Sequence, residues 1–265
     1  MRLLSISSGS SGNCIYTGSD DTHLLIDAGI SGKRIEAGLG TAELTGGDIS
    51  GILVTHEHSD HIASIGVLAR RYGIPIYATQ GTIEGIKSSP CTGNIDESLF
   101  RVIKAGDNFT IGDLNIYAHP ISHDANDPVA YRVCDGKVGV GVCTDLGKYD
   151  DDTIATFGNV NALLLEANHD VNMLQVGRYP YPLKRRILGE RGHLSNETSG
   201  RLLCKLIHDG LHTVFLGHLS AENNLPELCY EAVRLELLMG CEKYNPDMLK
   251  LMVASRSECS EVVNV

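Results

Sequence analysis

Short apolar runs, each closed by Gly, Asp or Asn, dominate the chain and predict a series of buried β-strands. LLSIS (3–7) and HLLIDAG (23–29) read as strands on either side of a Ser/Gly loop, SSGSSGN (7–13). ISGILVTHEHSDHI (49–62) begins as a strand and runs into a polar turn, and ASIGVLARRYG (63–73) has helical spacing and stops on Gly73. IPIYAT, RVIKAGD, FTIGDLNIYAHP, VAYRVCDGKVGVGVCTD and VNALLLEAN supply further strands with Gly-Asp and Asp-Gly turns. SNETSGRLLCKLIHDG (195–210) is an amphipathic helix with Ser195 as N-cap. TVFLGHLS is another strand, LPELCYEAVRLELLMG another helix and LKLMVAS a last strand. Strands followed by mixed strand–helix units, twice over and with no linker or repeat, predict one α/β (α+β) domain over residues 1–265. Two mixed sheets are expected face to face with helices outside, because the hairpin-rich middle (101–144) argues against a doubly wound parallel sheet.

Composition narrows the partners. The formal net charge is −11, which repels polyanions, so an anionic substrate must be captured locally by metal ions or a basic patch. Eight Cys occur with no C-x-x-C pair, several inside apolar runs, and read as reduced core thiols. The N-terminus turns polar too soon for a secretory signal, and no apolar run approaches the roughly 20 residues of a membrane span. The expected compartment is the cytoplasm.

The densest chemistry is T-H-E-H-S-D-H (55–61), which follows an apolar strand directly. His56 and His58 are two apart and project to the same side of an extended loop. Asp60 and His61 fall where the next helix starts and can turn to a second point. Imidazole and carboxylate suit zinc, manganese or iron better than calcium or magnesium. Further ligands are expected at strand ends, where Asp27, His123, Asp145 and His218 stand.

H-x-H-x-D-H with a preceding Asp, then a His, an Asp and a final His, resembles the metallo-β-lactamase-fold superfamily over nearly the whole chain. The resemblance implies an αββα sandwich with two divalent ions (Mn²⁺, Zn²⁺ or Fe²⁺) at one edge between the sheets. His56, His58 and His123 would hold one ion, Asp60, His61 and His218 the other, with Asp145 bridging and Asp27 orienting the ligand loop. The segment H-D-A-N-D-P-V-A-Y favours His123 over His119, which is read as structural.

L-L-L-E-A-N-H-D (163–170), G-H-L-S-N-E-T-S-G (192–200) and L-G-H-L-S (216–220) resemble the closing motifs of tRNase Z and related phosphodiesterases. They imply that Glu166 backs His193, which would protonate the leaving oxygen; on a two-metal template, Asp60 is expected to help position the nucleophile. With S-G-S-S-G-N-C (8–14) and H-L-S-A-E-N-N (218–224), the narrower resemblance is to the YycJ/WalJ-type proteins, single-domain members associated with 5′-to-3′ exonuclease activity on DNA. Segment 171–193 carries Arg178, Lys184, Arg185, Arg186 and Arg191 against one acid, Glu190, with Tyr179 and Tyr181 interleaved. These side chains are expected to hold a DNA end by charge and stacking. The rival enzyme is a hydrolase of small cyclic phosphodiesters, which the acidic net charge favours. A rival of another class is a metal-binding sensor or scaffold without turnover.

Overall fold

The computed structural model describes residues 1–265. In chain order the elements are β1 (Arg2–Ser7), β2 (Cys14–Gly18), β3 (His23–Ile26), α1 (Gly32–Thr41), β4 (Gly51–Leu53), α2 (Ser59–Ile62), α3 (Ile65–Tyr72), β5 (Ile76–Thr79) and α4 (Gln80–Ser88). There follow β6 (Phe100–Ile103), β7 (Asn108–Ile111), β8 (Leu114–Pro120), β9 (Val129–Cys134), β10 (Gly139–Cys143), α5 (Asp151–Phe157) and β11 (Ala162–Glu166). The last are α6 (Val171–Val176), α7 (Tyr181–Ile187), α8 (Asn196–Leu206), β12 (Thr213–Gly217), α9 (Pro226–Gly240), β13 (Lys250–Val253) and β14 (Val263–Asn264).

Two seven-stranded sheets result, ordered β14-β1-β2-β3-β4-β5-β6 and β13-β12-β11-β10-β9-β8-β7. Each is antiparallel at one end and parallel at the other: β3 to β6 run parallel in the first sheet, β10 to β13 in the second. The apolar runs are continuous because both faces of these strands are covered. Leu24, Ile26 and Leu53 face inward with Val140, Val142, Ala162 and Leu164 in the core between the sheets. The alternate residues Leu25 and Ile52 pack outward on Ile35 and Leu39 of α1, Leu68 of α3 and Ile83 of α4. Leu163, Leu165, Val214 and Leu216 pack on Leu202 and Leu203 of α8 and Val233 and Leu237 of α9. The layers are therefore helix, sheet, sheet, helix, the sandwich expected from the strand order.

The helix stop on Gly73 is a left-handed cap with φ 68°, and the Ser195 hydroxyl accepts the Thr198 amide as N-cap of α8. No helix is long and apolar enough to cross a membrane. What matters for chemistry is direction. The carboxyl ends of β3 and β4 and those of β10, β11 and β12 each deliver a polar residue, and open α/β sheets place ligand sites at such ends.

Candidate metal centre

Asp27, Asp145 and His218 each follow a parallel strand in a left-handed backbone conformation, at φ 61°, 58° and 56°. Asp and His tolerate this region better than most side chains, and it costs of order 1–3 kcal/mol, the kind of strain found at functional sites. The turn throws each side chain inward to the gap between the sheets. Asp27 anchors the ligand loop: its Oδ1 accepts the Thr55 amide and its Oδ2 the Thr55 hydroxyl, both at 2.8 Å. Beyond Thr55 the chain stays extended through His58 and then enters α2, so Asp60 and His61 sit on a helical turn. Gly29 makes this possible, because a Cβ there would lie 1.6 Å from the Asp60 carbonyl.

The imidazoles converge with their ring nitrogens fixed from behind. His61 Nδ1 donates to Asp27 Oδ2 at 2.7 Å, His56 Nδ1 to the Thr55 hydroxyl at 3.0 Å and His123 Nδ1 to the Gly192 carbonyl at 3.2 Å. In each case Nδ1 is committed and Nε2 is turned to the centre, the arrangement ligating histidines adopt. His56 Nε2 lies 3.0 Å from His58 Nδ1, which lies 3.3 Å from His123 Nε2. Ligands bound tetrahedrally at zinc-like distances would sit about 3.3 Å apart. A second group places Asp60 Oδ2 3.6 Å from both His61 Nε2 and His218 Nε2. Asp145 lies between the groups: Oδ2 is 3.3 Å from His61 Nε2, and Oδ1 is 3.4 Å from His218 Nε2 and 3.7 Å from His123 Nε2.

Behind the second group stands Glu166, fully buried at the end of β11. Its Oε1 accepts from His193 Nδ1 at 2.8 Å and from His218 Nδ1 at 2.9 Å. Its Oε2 accepts the amides of Leu146 at 2.8 Å and Leu194 at 3.0 Å. One carboxylate thus orients two imidazoles and ties together the loops that follow β10 and precede α8.

The charge balance calls for cations. Burial opposes ionisation of Asp145, yet His218, His61 and His123 hold its pKa below the ordinary carboxylate value. Burial likewise opposes charge on Glu166, where His193 and His218 prevail and lower the pKa. Asp145 Oδ2 and His218 Nε2 are buried with no hydrogen-bond partner, although both lie at the centre of the cluster. Orphaned buried acceptors are costly, and divalent metal ions satisfy them. The residues present therefore fit such ions. His56 agrees: burial first, and then the neighbouring imidazoles, push its pKa down, so the ring stands ready as a neutral ligand.

Without metal, protons take the place of the ions. Burial disfavours charged His61, but Asp145, Asp27 and Asp60 outweigh it and push the pKa up to about 9. His218 is shifted the same way, against burial, with Asp145 as the leading cause. A raised pKa stabilises the fold fully below the unfolded value of about 6.5, and that contribution is lost as pH rises through about 9. Chelator-stripped protein should therefore show a Tm that falls from pH 7 to 9.5, while the metal-loaded protein is spared because bound ions displace those protons. A stripped-protein Tm that climbs across this window would contradict the assignment.

Comparison with known proteins identifies the framework. Residues 22–214 match the family model described as Beta-lactamase superfamily domain. The chain belongs to the β-lactamase superfamily. Within it, the chain is 42% identical over 228 residues to exodeoxyribonuclease YycJ of Bacillus anthracis, covering 86% of each chain. It is 40% identical over 225 residues to exodeoxyribonuclease WalJ of Streptococcus pneumoniae, covering 85% of this chain and 84% of that one. Among solved structures, zinc-bound PqqB of Methylobacterium extorquens has the same fold, with a TM-score of 0.73 at 16% identity over 100% of both chains.

Against this superfamily frame, the side chains expected from sequence fall into two sets. His56, His58, Asp60, His61, His123, Asp145 and His218 converge, with Asp27 behind His61 and Glu166 behind His193. His119 lies elsewhere, its ring between the hydroxyls of Thr153 and Thr156 at 3.1 and 3.2 Å. The basic segment is less uniform. Arg178 and Arg185 are exposed and Tyr181 is 73% exposed, with Tyr179 half-buried. Lys184 is spent on the carbonyls of Gln175 and Gly177, both at 2.7 Å, and Arg186 pairs with Asp124. Arg191 donates to the His123 carbonyl at 3.0 Å, which holds that cluster residue from behind.

Other residues support the cluster through contacts that their sequence motifs do not specify. The Ser/Gly loop 7–13 turns its polar groups inward: the amides of Ser8, Gly9, Gly12 and Asn13 all bond within the protein. It buttresses the candidate site, with the Ser8 hydroxyl accepting the His218 amide at 2.9 Å and the Asn13 side-chain Nδ2 3.1 Å from His61 Nε2. Asn168 holds the His218 carbonyl at 2.9 Å. These are pairings across the chain between residues that look like ordinary turn formers.

Proposed function

We propose that the chain is a dinuclear metal-dependent phosphodiesterase acting on DNA ends as a 5′-to-3′ exodeoxyribonuclease. The observation that carries this reading is the Glu166–His193 pair beside the ligand cluster, in a chain 40–42% identical to named exodeoxyribonucleases. In this reading His56, His58 and His123 hold one ion, and Asp60, His61 and His218 the other, with Asp145 shared between them. The ligands come from both sheets, so the chain works as one unit. Manganese, zinc or iron suits this nitrogen-rich donor set. Such ions, when bound, supply positive charge to the phosphate oxygens and activate the attacking water.

The rest belongs to the protein. Asp60, the least buried of the acidic ligands, also helps to position the attacking water. His193 has its Nδ1 committed to Glu166, so Nε2 is its proton carrier. His193, oriented by Glu166, gives an Nε2 proton to the departing 3′-oxygen. Arg178, Arg185, Tyr179 and Tyr181 would meet the strand beyond the site. The eight cysteines are all free thiols, which suits the cytoplasm.

The test is digestion of 5′- and 3′-end-labelled duplexes in Mn²⁺, Zn²⁺ or Mg²⁺, following product length over time. Stepwise shortening from the 5′ end, lost in chelator, is expected. Hydrolysis of small diesters alone would favour the second reading, a hydrolase of small cyclic phosphodiesters. That reading draws on the −11 net charge and on the internal use of Lys184. No turnover of any diester would leave a metal-binding sensor or scaffold.

A further inference from the structure

Asp124 follows the cluster residue His123 directly and is gripped by Arg186 of α7. Arg186 Nη2 donates to Asp124 Oδ1 at 3.0 Å and Nε donates to Oδ2. The same Asp124 Oδ1 lies 3.4 Å from His123 Nε2, so the guanidinium stands at the rim of the metal cluster. Asp60 and Asp145 add to the effect of Asp124 in raising the Arg186 pKa, which agrees with that position. The side chains are 48% and 29% exposed, and ion pairs in water contribute little to stability. Stability does not account for this arrangement. Nor is it a general feature of the basic segment, since Lys184 is spent on the Gln175 and Gly177 carbonyls and Arg178 and Arg185 are exposed.

The geometry of the fork is informative. Asp124 uses the Nε/Nη2 edge of Arg186. A guanidinium has five N–H groups, so both Nη1 hydrogens and the second Nη2 hydrogen remain, forming a second two-pronged edge. An arginine in this state can accept a phosphate without releasing its carboxylate. Asp124 fixes the plane and position of the fork before the phosphate arrives, which reduces the ordering cost of binding.

We propose that Arg186, held in place by Asp124, forms a subsite for a nucleic-acid phosphate next to the scissile one, with Asp124 as a positioning residue. This rests on the exodeoxyribonuclease reading and extends it. An enzyme so built measures from one phosphate to its neighbour, so a small diester with no second phosphate gains nothing from the pair. In an enzyme acting at a 5′ end, the neighbour is either the terminal 5′-phosphate or the next internal phosphate.

The experiment compares wild type, Arg186→Gln and Asp124→Asn on a 5′-phosphoryl duplex, a 5′-hydroxyl duplex and bis(p-nitrophenyl) phosphate, with metal content measured for each. Arg186→Gln should raise KM for DNA about tenfold with kcat within about twofold, and leave the small diester unchanged. Asp124→Asn should raise KM about threefold, because the fork is present but no longer fixed. In chelator, the log–log salt slope of duplex binding should fall by about 0.9 for Arg186→Gln, the signature of one lost phosphate contact. A KM rise confined to the 5′-phosphoryl duplex identifies the terminal phosphate, and an equal rise on both identifies the internal one. Unchanged KM and salt slope in Arg186→Gln, with wild type digesting DNA normally, would overturn the subsite alone. Wild type that cleaves the small diester but no duplex would overturn the exodeoxyribonuclease reading, and the subsite with it.

Discussion

Asp145→Asn is expected to leave a folded protein that has lost both its metal occupancy and its turnover, with kcat/KM on DNA down by at least about 10³. Removing one donor of transition-state charge stabilisation already costs about 10²–10³. Asp145 is more central than a single donor. Its two oxygens lie 3.3 to 3.7 Å from imidazole nitrogens of both ligand groups. It is also a main cause of the raised pKa values of His61 and His218. Neutralising it therefore weakens the cage on both sides at once. Asn is the appropriate replacement because it keeps the shape and accepts the left-handed backbone at φ 58°. Alanine would add backbone strain to the loss of charge. Near-normal turnover in Asp145→Asn with two ions retained would remove Asp145 from the bridging position.

His193→Ala should behave differently, keeping its metals while cleaving DNA about 10²–10⁴ times more slowly, the range typical of a lost general acid. The distinction follows from geometry. His193 turns Nδ1 to Glu166 at 2.8 Å, and its side chain is 14% exposed, whereas His56 of the proposed ligand set is fully buried. Glu166 also holds His218, so the second ligand group keeps its support when His193 is cut back. The clearest readout is leaving-group dependence. A p-nitrophenyl ester departs without a proton, so the loss on that substrate should shrink to a few-fold. An equal loss on activated and unactivated diesters would mean that His193 binds substrate instead of protonating the leaving group.

Much of this site could be read from sequence because its parts are local. T-H-E-H-S-D-H packs four candidate ligands into one loop between a strand and a helix, and that geometry follows from the chain direction alone. Asp27, Asp145 and His218 were recognisable as polar residues ending apolar strands, whereas Glu166 and His193 were marked only by the resemblance of their segments to phosphodiesterase closing motifs. The fold was legible for the same reason, since two-faced burial leaves continuous apolar runs. The weak signals have physical causes. α1, absent from the pattern reading, is interrupted by glycines, yet Gly38 is needed there: a Cβ would meet the Ile6 side chain at 2.4 Å. α4 and α5 are short and add little periodicity, and β2 is hidden behind the Ser/Gly loop. Asn13, Asn168 and Asp124 meet the site through partners far away in the chain, so their roles cannot be read from the residues beside them. The basic run 178–186 shows the opposite problem, since charge counted along the sequence does not reveal that Lys184 is occupied by the carbonyls of Gln175 and Gly177.

Whether side chains from both sheets hold a pair of ions can be measured without any substrate. Isothermal titration of stripped protein with Mn²⁺ or Zn²⁺, checked by elemental analysis after desalting, should give two equivalents per chain for wild type and a sharp loss of affinity for both in Asp145→Asn. Wild type that retains no divalent ion, or binds a single ion unaffected by Asp145→Asn, would contradict the account at its root.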